Sequence, residues 1–192
     1  MRLLSALIIL FSSVNVKAQV FHYINYNIKD GLAGSIVYSM CQDKDGFMWF
    51  GTENGLSRYD GTHFKNFTVK DGLPDNEVIK VNADSKGRVW IGTFSKELCY
   101  YYNGKIFNPH NNDFLKKIQL ESNPESIFEV SNHFLCISSK LTIIIITPND
   151  SIIKYKLSDI CLKDNVGGVT YNFYGKITLR TGDHFRYDYN QN

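Results

Sequence analysis

The residues of this sequence best suited to chemistry are three carboxylates in predicted loops, Glu53, Asp75 and Glu97. Paired carboxylates could hydrolyse or eliminate a glycosidic bond, but nothing in the sequence pairs these three. The histidines show no metal-ligand spacing and share no repeat position; they are His22, His63, His110, His133 and His184. No Ser/His/Asp or Cys/His signature occurs either. We therefore expect a protein that is not an enzyme and holds no metal and no cofactor.

The elements that must position these loops come from an internal repeat. Trp49 aligns with Trp90 at an offset of 41 residues. The same offset pairs Asp30 with Asp71, Gly31 with Gly72, Leu32 with Leu73, Asp43 with Asp84, Gly46 with Gly87, Gly51 with Gly92 and Thr52 with Thr93. Two weaker copies follow, FLCISSK at 134–140 and YGKITLRTGDHFRYD at 174–188. Self-similarity at a fixed period is typical of a repeat architecture.

A complete copy of the repeat predicts four short strands separated by turn residues. In the first copy they are SIVYSMCQ (35–42), FMWFGT (47–52), LSRYD (56–60) and HFKNFTV (63–69). Four antiparallel strands in a unit of this length form one blade of a β-propeller. A β-sandwich would also have regularly spaced strands, but it has no reason to repeat its sequence at a fixed period.

We therefore predict an all-β fold, a small or incomplete β-propeller of about four repeats. The predicted elements are an outer strand at 20–28, blade 1 at 33–69, blade 2 at 74–109, a degenerate blade 3 at 124–158 and a partial blade 4 at 164–190. The insert DFLKKIQL (113–120) predicts at most a short helix in a loop.

The repeated motif is interpreted as the part that builds each blade. Asp45-Gly46 and Asp60-Gly61 predict hairpin turns, because glycine accepts the positive φ that tight turns require. The tryptophans are expected to pack between neighbouring blades, and the glycines after them to allow close backbone approach. The predicted structural residues are Gly46, Trp49, Gly51, Thr52, Gly87, Trp90, Gly92 and Thr93.

The segments DGFMWFGTENGLSRYDG and GRVWIGT resemble the two-component regulator propeller repeat. KDGLAGSIVYSMCQDKDG and KDGLPDNEVIKVNADSKG are similar to the link between repeats of that family. The resemblance is specific over 20–108 and weak over 124–192. It implies the periplasmic sensor region of a hybrid two-component histidine kinase of Bacteroidetes, with an oligosaccharide released from a polysaccharide as ligand. Kinase, receiver and DNA-binding segments are not recognisable, so we expect a sensor segment without kinase activity of its own.

The two ends of the repeat region leave two interpretations open. HYINYNIKDGL aligns with THFKNFTVKDGL, which places an outer strand before the first full blade, and the last copy stops after its third strand. Such ends suit closure of a four-bladed ring by strands from both ends, which removes exposed edges. Truncation of a longer sensor would look the same, and the family architecture favours it. A non-functional remnant, a protein-interaction propeller and, less favoured, a propeller glycosidase or lyase are the alternative functions.

A ligand would be expected on the face where the links between blades meet the loops between second and third strands. Polar side chains around the mouth of a propeller channel are natural ligand contacts. The candidates are Ser35, Glu53, Asn54, Asp75, Asn76 and Lys96. Asp30 and Asp71, which each precede a glycine, are interpreted as turn residues instead.

The first 18 residues predict a signal peptide. Arg2 is followed by the apolar run Leu3–Phe11, and Val16-Lys17-Ala18 is a small-residue cleavage site. Without this segment, 19 of the 21 basic side chains remain beside 19 acidic ones, a balance that gives no reason to bind nucleic acid. We expect an exported, periplasmic protein without a membrane span in its mature form, and possible partners are other segments of a sensor kinase.

Overall fold

The computed structural model describes residues 24–130, 133–138, 142–156, 166–171, 177–181 and 185–188 of the 192-residue chain. Their strands form four antiparallel sheets, each made of strands consecutive in sequence. Blade 1 contains β1 (Val37–Gln42), β2 (Met48–Thr52), β3 (Gly55–Tyr59) and β4 (Phe64–Phe67). Blade 2 contains β5 (Val78–Ala83), β6 (Val89–Thr93), β7 (Leu98–Tyr102) and β8 (Lys105–Phe107).

The later sheets follow the same plan. Blade 3 contains β9 (Pro124–Val130), β10 (His133–Ser138), β11 (Thr142–Ile146) and β12 (Ile152–Lys156). Blade 4 contains β13 (Val166–Tyr171), β14 (Ile177–Thr181) and β15 (Phe185–Asp188). A single-turn helix, α1 (Asp113–Lys116), lies in the insert between blades 2 and 3. The predicted fold class, four-stranded antiparallel blades, is confirmed.

In blades 1 and 2 a tight turn with the sequence Asp-x-x-Gly joins the first strand to the second. In blade 1 the amide of Gly46 donates to the carbonyl of Asp43 at 3.1 Å, and the Asp43 amide donates to the carbonyl of Phe47 at 3.0 Å. Gly46 has φ +88° and Gly87, one repeat later, has φ +82°, a conformation that favours glycine. Strands β1 and β2 then pair with Trp49 opposite Cys41.

The blades pack side by side through their inner strands, with β1 against β5 and β5 against β9. Two hydrophobic cores fill the gaps between sheets. The first contains Trp49, Leu56 and Phe67 of blade 1 against residues of blade 2 such as Val81 and Ile91. The second places Trp90 and Leu98 of blade 2 against Leu115, Ile118, Ile127, Ile144 and Ile146. Both tryptophans are fully buried, so each one joins two successive blades.

The glycine two residues after each tryptophan, Gly51 or Gly92, lies where the following blade approaches most closely. A Cβ added to Gly51 would lie 2.6 Å from the carbonyl oxygen of Val78 and 2.9 Å from its Cγ1. A Cβ at Gly92 would overlap Pro124, the first residue of β9. Because both contacts are with the following blade, glycine at these positions sets the spacing between sheets.

The segment before blade 1 differs from the expectation of an outer strand at 20–28. Residues 20–23 lie outside the described part of the chain, 24–27 form no strand, and Ile28–Asp30 form a 3-10 turn. The residues one repeat later, Phe64–Phe67, form β4 because they pair with β3. No strand in the described residues pairs with 24–27. Instead Tyr26 packs on the rings of Tyr59 and Phe64, at centroid distances of 4.9 and 5.6 Å.

The face of blade 1 that points away from blade 2 is open. Met40 is 65% exposed and Ile36 is 53% exposed, whereas Val81, at the repeat position of Met40, is 5% exposed. Successive side chains of a strand point to opposite faces, so Met40 faces away from the first core, to which Cys41 belongs.

The cysteines of blades 1 and 2 lie in the core, where they pack as small apolar residues. Cys41 and Cys99 are free thiols that contact the first core. Burial raises the pKa of Cys41 to about 12, and burial also raises the pKa of Cys99. Both thiols therefore stay protonated and unreactive near neutral pH. Cys136 lies on β10 opposite Ile144, and Cys161 lies outside the described residues.

Candidate functional site

The loops of the propeller lie on two faces. The link face, as named here, carries the links between blades (residues 27–36 and 68–77) and the loops between second and third strands. The hairpin face carries the turns between first and second strands and between third and fourth strands. Because successive strands run antiparallel, these two sets of loops lie at opposite ends of the strands.

Each link begins with the same capped turn. Asn27 and Thr68 are N-caps of the 3-10 turns Ile28–Asp30 and Val69–Asp71, and each cap is closed by an aspartate carboxylate. The Asp30 carboxylate accepts from the Asn27 amide at 2.8 Å, and that of Asp71 accepts from the Thr68 amide at 2.8 Å. The interpretation of these two aspartates as turn residues agrees with this geometry.

Ser35 and Glu53, two of the predicted ligand contacts, bind each other. The Glu53 carboxylate accepts from the Ser35 amide at 2.8 Å, from its hydroxyl at 3.1 Å and from the Ile36 amide at 2.9 Å. Burial raises the pKa of Glu53, but the hydrogen bonds from Ile36 and Ser35 outweigh this effect and leave the pKa below its ordinary value. The ionised Glu53 thus fastens the link to the loop between β2 and β3.

Two further candidates, Asp75 and Asn76, hold the second link in shape. Asp75 accepts from the Glu77 amide at 3.1 Å, and the side-chain carbonyl of Asn76 accepts from the Val69 amide at 2.9 Å. Glu77 itself accepts a hydrogen bond from the Tyr38 hydroxyl at 3.0 Å, and this bond connects the N-terminal ends of β1 and β5. These acceptors are engaged in local structure.

Asn54 and Lys96 have the side chains most available to a ligand. Both are exposed at the loops between second and third strands, and neither side chain makes a hydrogen bond or ion pair within the described residues. Phe94, at the repeat position of Glu53, is 56% exposed beside Lys96. The link face therefore presents an aromatic ring, an amide and an ammonium group, a set that can stack on and hydrogen-bond to a sugar.

The hairpin face holds a network that the sequence patterns did not assign. The indole Nε1 of Trp90 donates to Asp84 at 2.8 Å, and Arg88 Nε donates to the same carboxylate oxygen at 2.6 Å. Arg88 Nη1 reaches Asp150, in the turn of blade 3 between β11 and β12, at 3.0 Å. Lys86 also binds Asp150, at 2.8 Å. This charged cluster joins blades 2 and 3.

In blade 1 the same tryptophan contact occurs without the charged cluster. Trp49 Nε1 donates to Asp43 at 2.6 Å, and the amides of Asp45 and Phe47 donate to the other oxygen of that carboxylate. The repeat of Asp43 as Asp84 was visible in the sequence. The role of Asp43 and Asp84 as acceptors of the indole proton could not be read from the sequence, because that role depends on the folded turn.

Small cavities lined by described residues open between blades on the hairpin face. One, of about 180 Å³, lies between blades 1 and 2 and includes Asp43, Arg58 and Tyr101 in its lining. Another, of about 170 Å³, lies between blades 2 and 3 beside Arg88 and Glu129. Within the described ranges no cluster of His, Cys, Asp and Glu could hold a metal ion. The same part of the chain contains no helix long and apolar enough to cross a membrane.

Four-stranded blades packed through buried tryptophans define the class of this protein, a β-propeller. Residues 31–54 and 72–95 match the model of the two component regulator propeller family. This match confirms the resemblance that the sequence of these two segments predicted. No protein with a curated description matches the chain in sequence.

Solved structures of low sequence identity share the fold. The extracellular domain of a hybrid two component system from B. thetaiotaomicron has a TM-score of 0.62 at 20% identity, over 86% of this chain and 23% of that domain. A second such domain from the same organism has a TM-score of 0.54 at 19% identity, over 76% and 20%. Virginiamycin B lyase from Staphylococcus aureus has a TM-score of 0.52 at 17% identity, over 76% and 48%. The chain thus spans less than half the length of each of these proteins.

Proposed function

We propose that the chain is a periplasmic, ligand-sensing β-propeller segment of a two-component signalling system and has no kinase activity of its own. The observation that carries the proposal is the match of two successive repeats to the two-component regulator propeller family. The two B. thetaiotaomicron domains of similar fold are extracellular parts of such systems, which supports the same assignment.

The proposed ligand is an oligosaccharide bound on the link face. Asn54 and Lys96 are its proposed polar contacts, since their side chains are exposed and unpaired in the described residues. Phe94 would supply a ring face for a sugar. Ser35, Glu53, Asp75 and Asn76 would act indirectly, because their polar atoms position the loops that carry the contacts.

Calorimetric titration of the purified protein with a panel of neutral and acidic oligosaccharides tests this proposal. At least one should bind, and Asn54→Ala and Lys96→Ala should each weaken binding about tenfold, the effect of one lost polar contact. Lys154→Ala is the matched control, because Lys154 is an exposed lysine on β12 of blade 3. Absence of binding by a cooperatively folded preparation would reject the sensing function.

The proposal includes the absence of enzyme activity, which virginiamycin B lyase makes worth testing. Glu53 is poorly suited to proton transfer, because three hydrogen bonds hold its carboxylate in the ionised form. Incubation with polysaccharides should release no product. Release of product that disappears in Glu53→Gln would replace the sensor assignment with a glycosidase or lyase.

Export is also part of the proposal, with residues 1–18 as a signal peptide. Expression of the full chain in a Gram-negative host should yield a periplasmic protein whose N-terminal residue is Gln19. A cytoplasmic protein that retains Met1 would contradict this part.

A further inference from the structure

The cavity between blades 1 and 2 contains an arginine whose charge no carboxylate in the described residues neutralises. Arg58, on β3, lies over the ring of Phe47 with its Cζ 4.5 Å from the centroid, and 5.8 Å from that of Trp49. Its Nη1 donates to the Tyr101 hydroxyl at 3.2 Å. Its Nε is buried without a hydrogen-bond acceptor. A buried donor without a partner is costly, so the protein itself leaves this guanidinium incompletely satisfied.

A similar arginine site lies between blades 2 and 3, and there carboxylates pair with the guanidinium. Arg88 Cζ lies 4.9 Å from the Trp90 ring centroid and 5.7 Å from that of Tyr100, so this guanidinium also rests on a tryptophan and a second aromatic ring. Arg88 binds two carboxylates, Asp84 and Asp150. The second comes from the turn of the following blade.

At the blade 1 site the following blade supplies no carboxylate. The equivalent turn of blade 2, between β7 and β8, contains Asn103 and Gly104, and both residues line the cavity. Asn103 and Asp150 even share a positive φ, +47° and +57°. Asp43 does not take this role, because its carboxylate accepts from the Asp45 and Phe47 amides and the Trp49 indole and forms no ion pair with Arg58. The cavity between blades 1 and 2 therefore lies at the place that corresponds to the Asp150 carboxylate in the Arg88 site.

We propose that this cavity binds the carboxylate of a uronic acid, with Arg58 as its main contact. Guanidinium groups pair with carboxylates through parallel hydrogen bonds. The cavity volume of about 180 Å³ leaves room for one carboxylate and the sugar ring that carries it. Asp43 and Asp45 also line the cavity without an ion pair to Arg58, and their charges would repel a polyanion more strongly than a singly charged ligand.

The sugar part of this inference rests on the proposed recognition of oligosaccharides, whereas the carboxylate site is distinct from the link face. It would make the protein selective for acidic glycan fragments.

Titration of the ¹⁵N-labelled full-length mature protein with glucuronate, followed by NMR, tests the site. Glucuronate should shift the signals of 43–47 and 101–104 and the Arg58 Nε–H, and glucose should not. Arg58→Gln should weaken binding about tenfold or more, as expected for loss of a charged hydrogen-bond partner. Arg58→Lys should fall between, because lysine keeps the charge and loses the paired geometry. Lys154→Gln, with the same loss of charge outside the cavity, should bind like the wild type.

Cooperative urea unfolding of each variant verifies that the blades remain packed, and the wild-type shifts locate the site even if Arg58→Gln unfolds. Equal shifts with glucose, shifts elsewhere, or unchanged affinity in folded Arg58→Gln would overturn the proposal. If glucuronate fails while a neutral oligosaccharide binds the link face, the proposed function stands and the cavity assignment falls. If glucuronate binds here and the oligosaccharide panel shows no contact with the link face, the cavity assignment stands and the proposed link-face site falls.

Discussion

Asp43 and Asp84 occupy the same repeat position and accept the same indole proton, yet they stand in different electrostatic surroundings. Asp84 is almost completely buried and also binds Arg88, whose side chain is 10% exposed. Asp43 accepts backbone and indole donors only. A buried charge whose partner is removed costs more than a lost neutral hydrogen bond, so equal substitutions at the two positions should have unequal effects.

Asp84→Ala should reduce the free energy of unfolding by about 3 kcal/mol, because it leaves Arg88 with only the half-exposed Asp150. Asp43→Ala should cost about 1–2 kcal/mol, the effect of lost hydrogen bonds to one acceptor. Urea unfolding followed by tryptophan fluorescence measures both values. Equal losses would show that the Arg88 ion pair contributes nothing beyond the indole hydrogen bond.

At the scale of elements, the stability of each blade depends on how closely it approaches the next. Gly51 meets the backbone of β5, which cannot move aside as a side chain could. The link before β1 depends instead on the Glu53 carboxylate, which gathers three donors from Ser35 and Ile36. One contact is steric and the other is electrostatic, so they respond to different perturbations.

Gly51→Ala should destabilise the protein by about 1–3 kcal/mol, the usual cost of overpacking. The added methyl group pushes β5 away from β2 and should alter the fluorescence of Trp49. Gly61→Ala is the control, since its Cβ would meet nothing within 4 Å and only its φ of +99° is unfavourable. This control should lose about 1–2 kcal/mol through left-handed backbone strain and leave the tryptophan signal unchanged. An altered signal in both variants would argue against blade separation.

Glu53→Gln should remove part of the acid sensitivity of the fold. The folded-state pKa of Glu53 lies below its ordinary value of 4.5, so its stabilisation is complete above that pH and is lost as the pH falls through the folded pKa. Urea midpoints measured from about pH 7 to pH 3 should show a constant gap between wild type and variant above about pH 5, which narrows below it. A gap that persists at the acid end would mean that Glu53 contributes no charge-dependent stability.

At the scale of the molecule, blades 1 to 3 form a row in which blades 2 and 3 each pack against the preceding blade. Blade 1 covers the face of blade 2 that contains Val81, while the face of blade 1 that contains Met40 is open. The repeat thus offers two equivalent positions in opposite environments.

Val81→Lys should cost at least about 3 kcal/mol, because it buries an unpaired charge between two sheets. Met40→Lys should change stability by no more than about 0.5 kcal/mol, as expected for an exposed position. Thermal unfolding with light scattering on the same samples gives both stability and oligomeric state. A large loss for Met40→Lys would show that this face is covered in solution.

The repeat and its turn chemistry were determined by the sequence alone. Glycine at Gly46 and Gly87 follows from the positive φ of a tight turn, and two tryptophans at one offset require the same burial in successive blades. These constraints act over a few residues or through an exact repetition, so they are readable without coordinates. They were sufficient for the fold class and for the short helix in the insert.

The tertiary structure decided which polar groups are engaged and which are free. The sequence predicts that Ser35 and Glu53 lie in loops, but only folding brings these two residues, which are 18 positions apart in the sequence, into contact. Arg58 and Tyr101 come from different blades and meet only because blade 1 packs against blade 2. Charge neutralisation and cavities depend on such distant partners, and a sequence pattern of period 41 contains no information about which carboxylate a given arginine will reach.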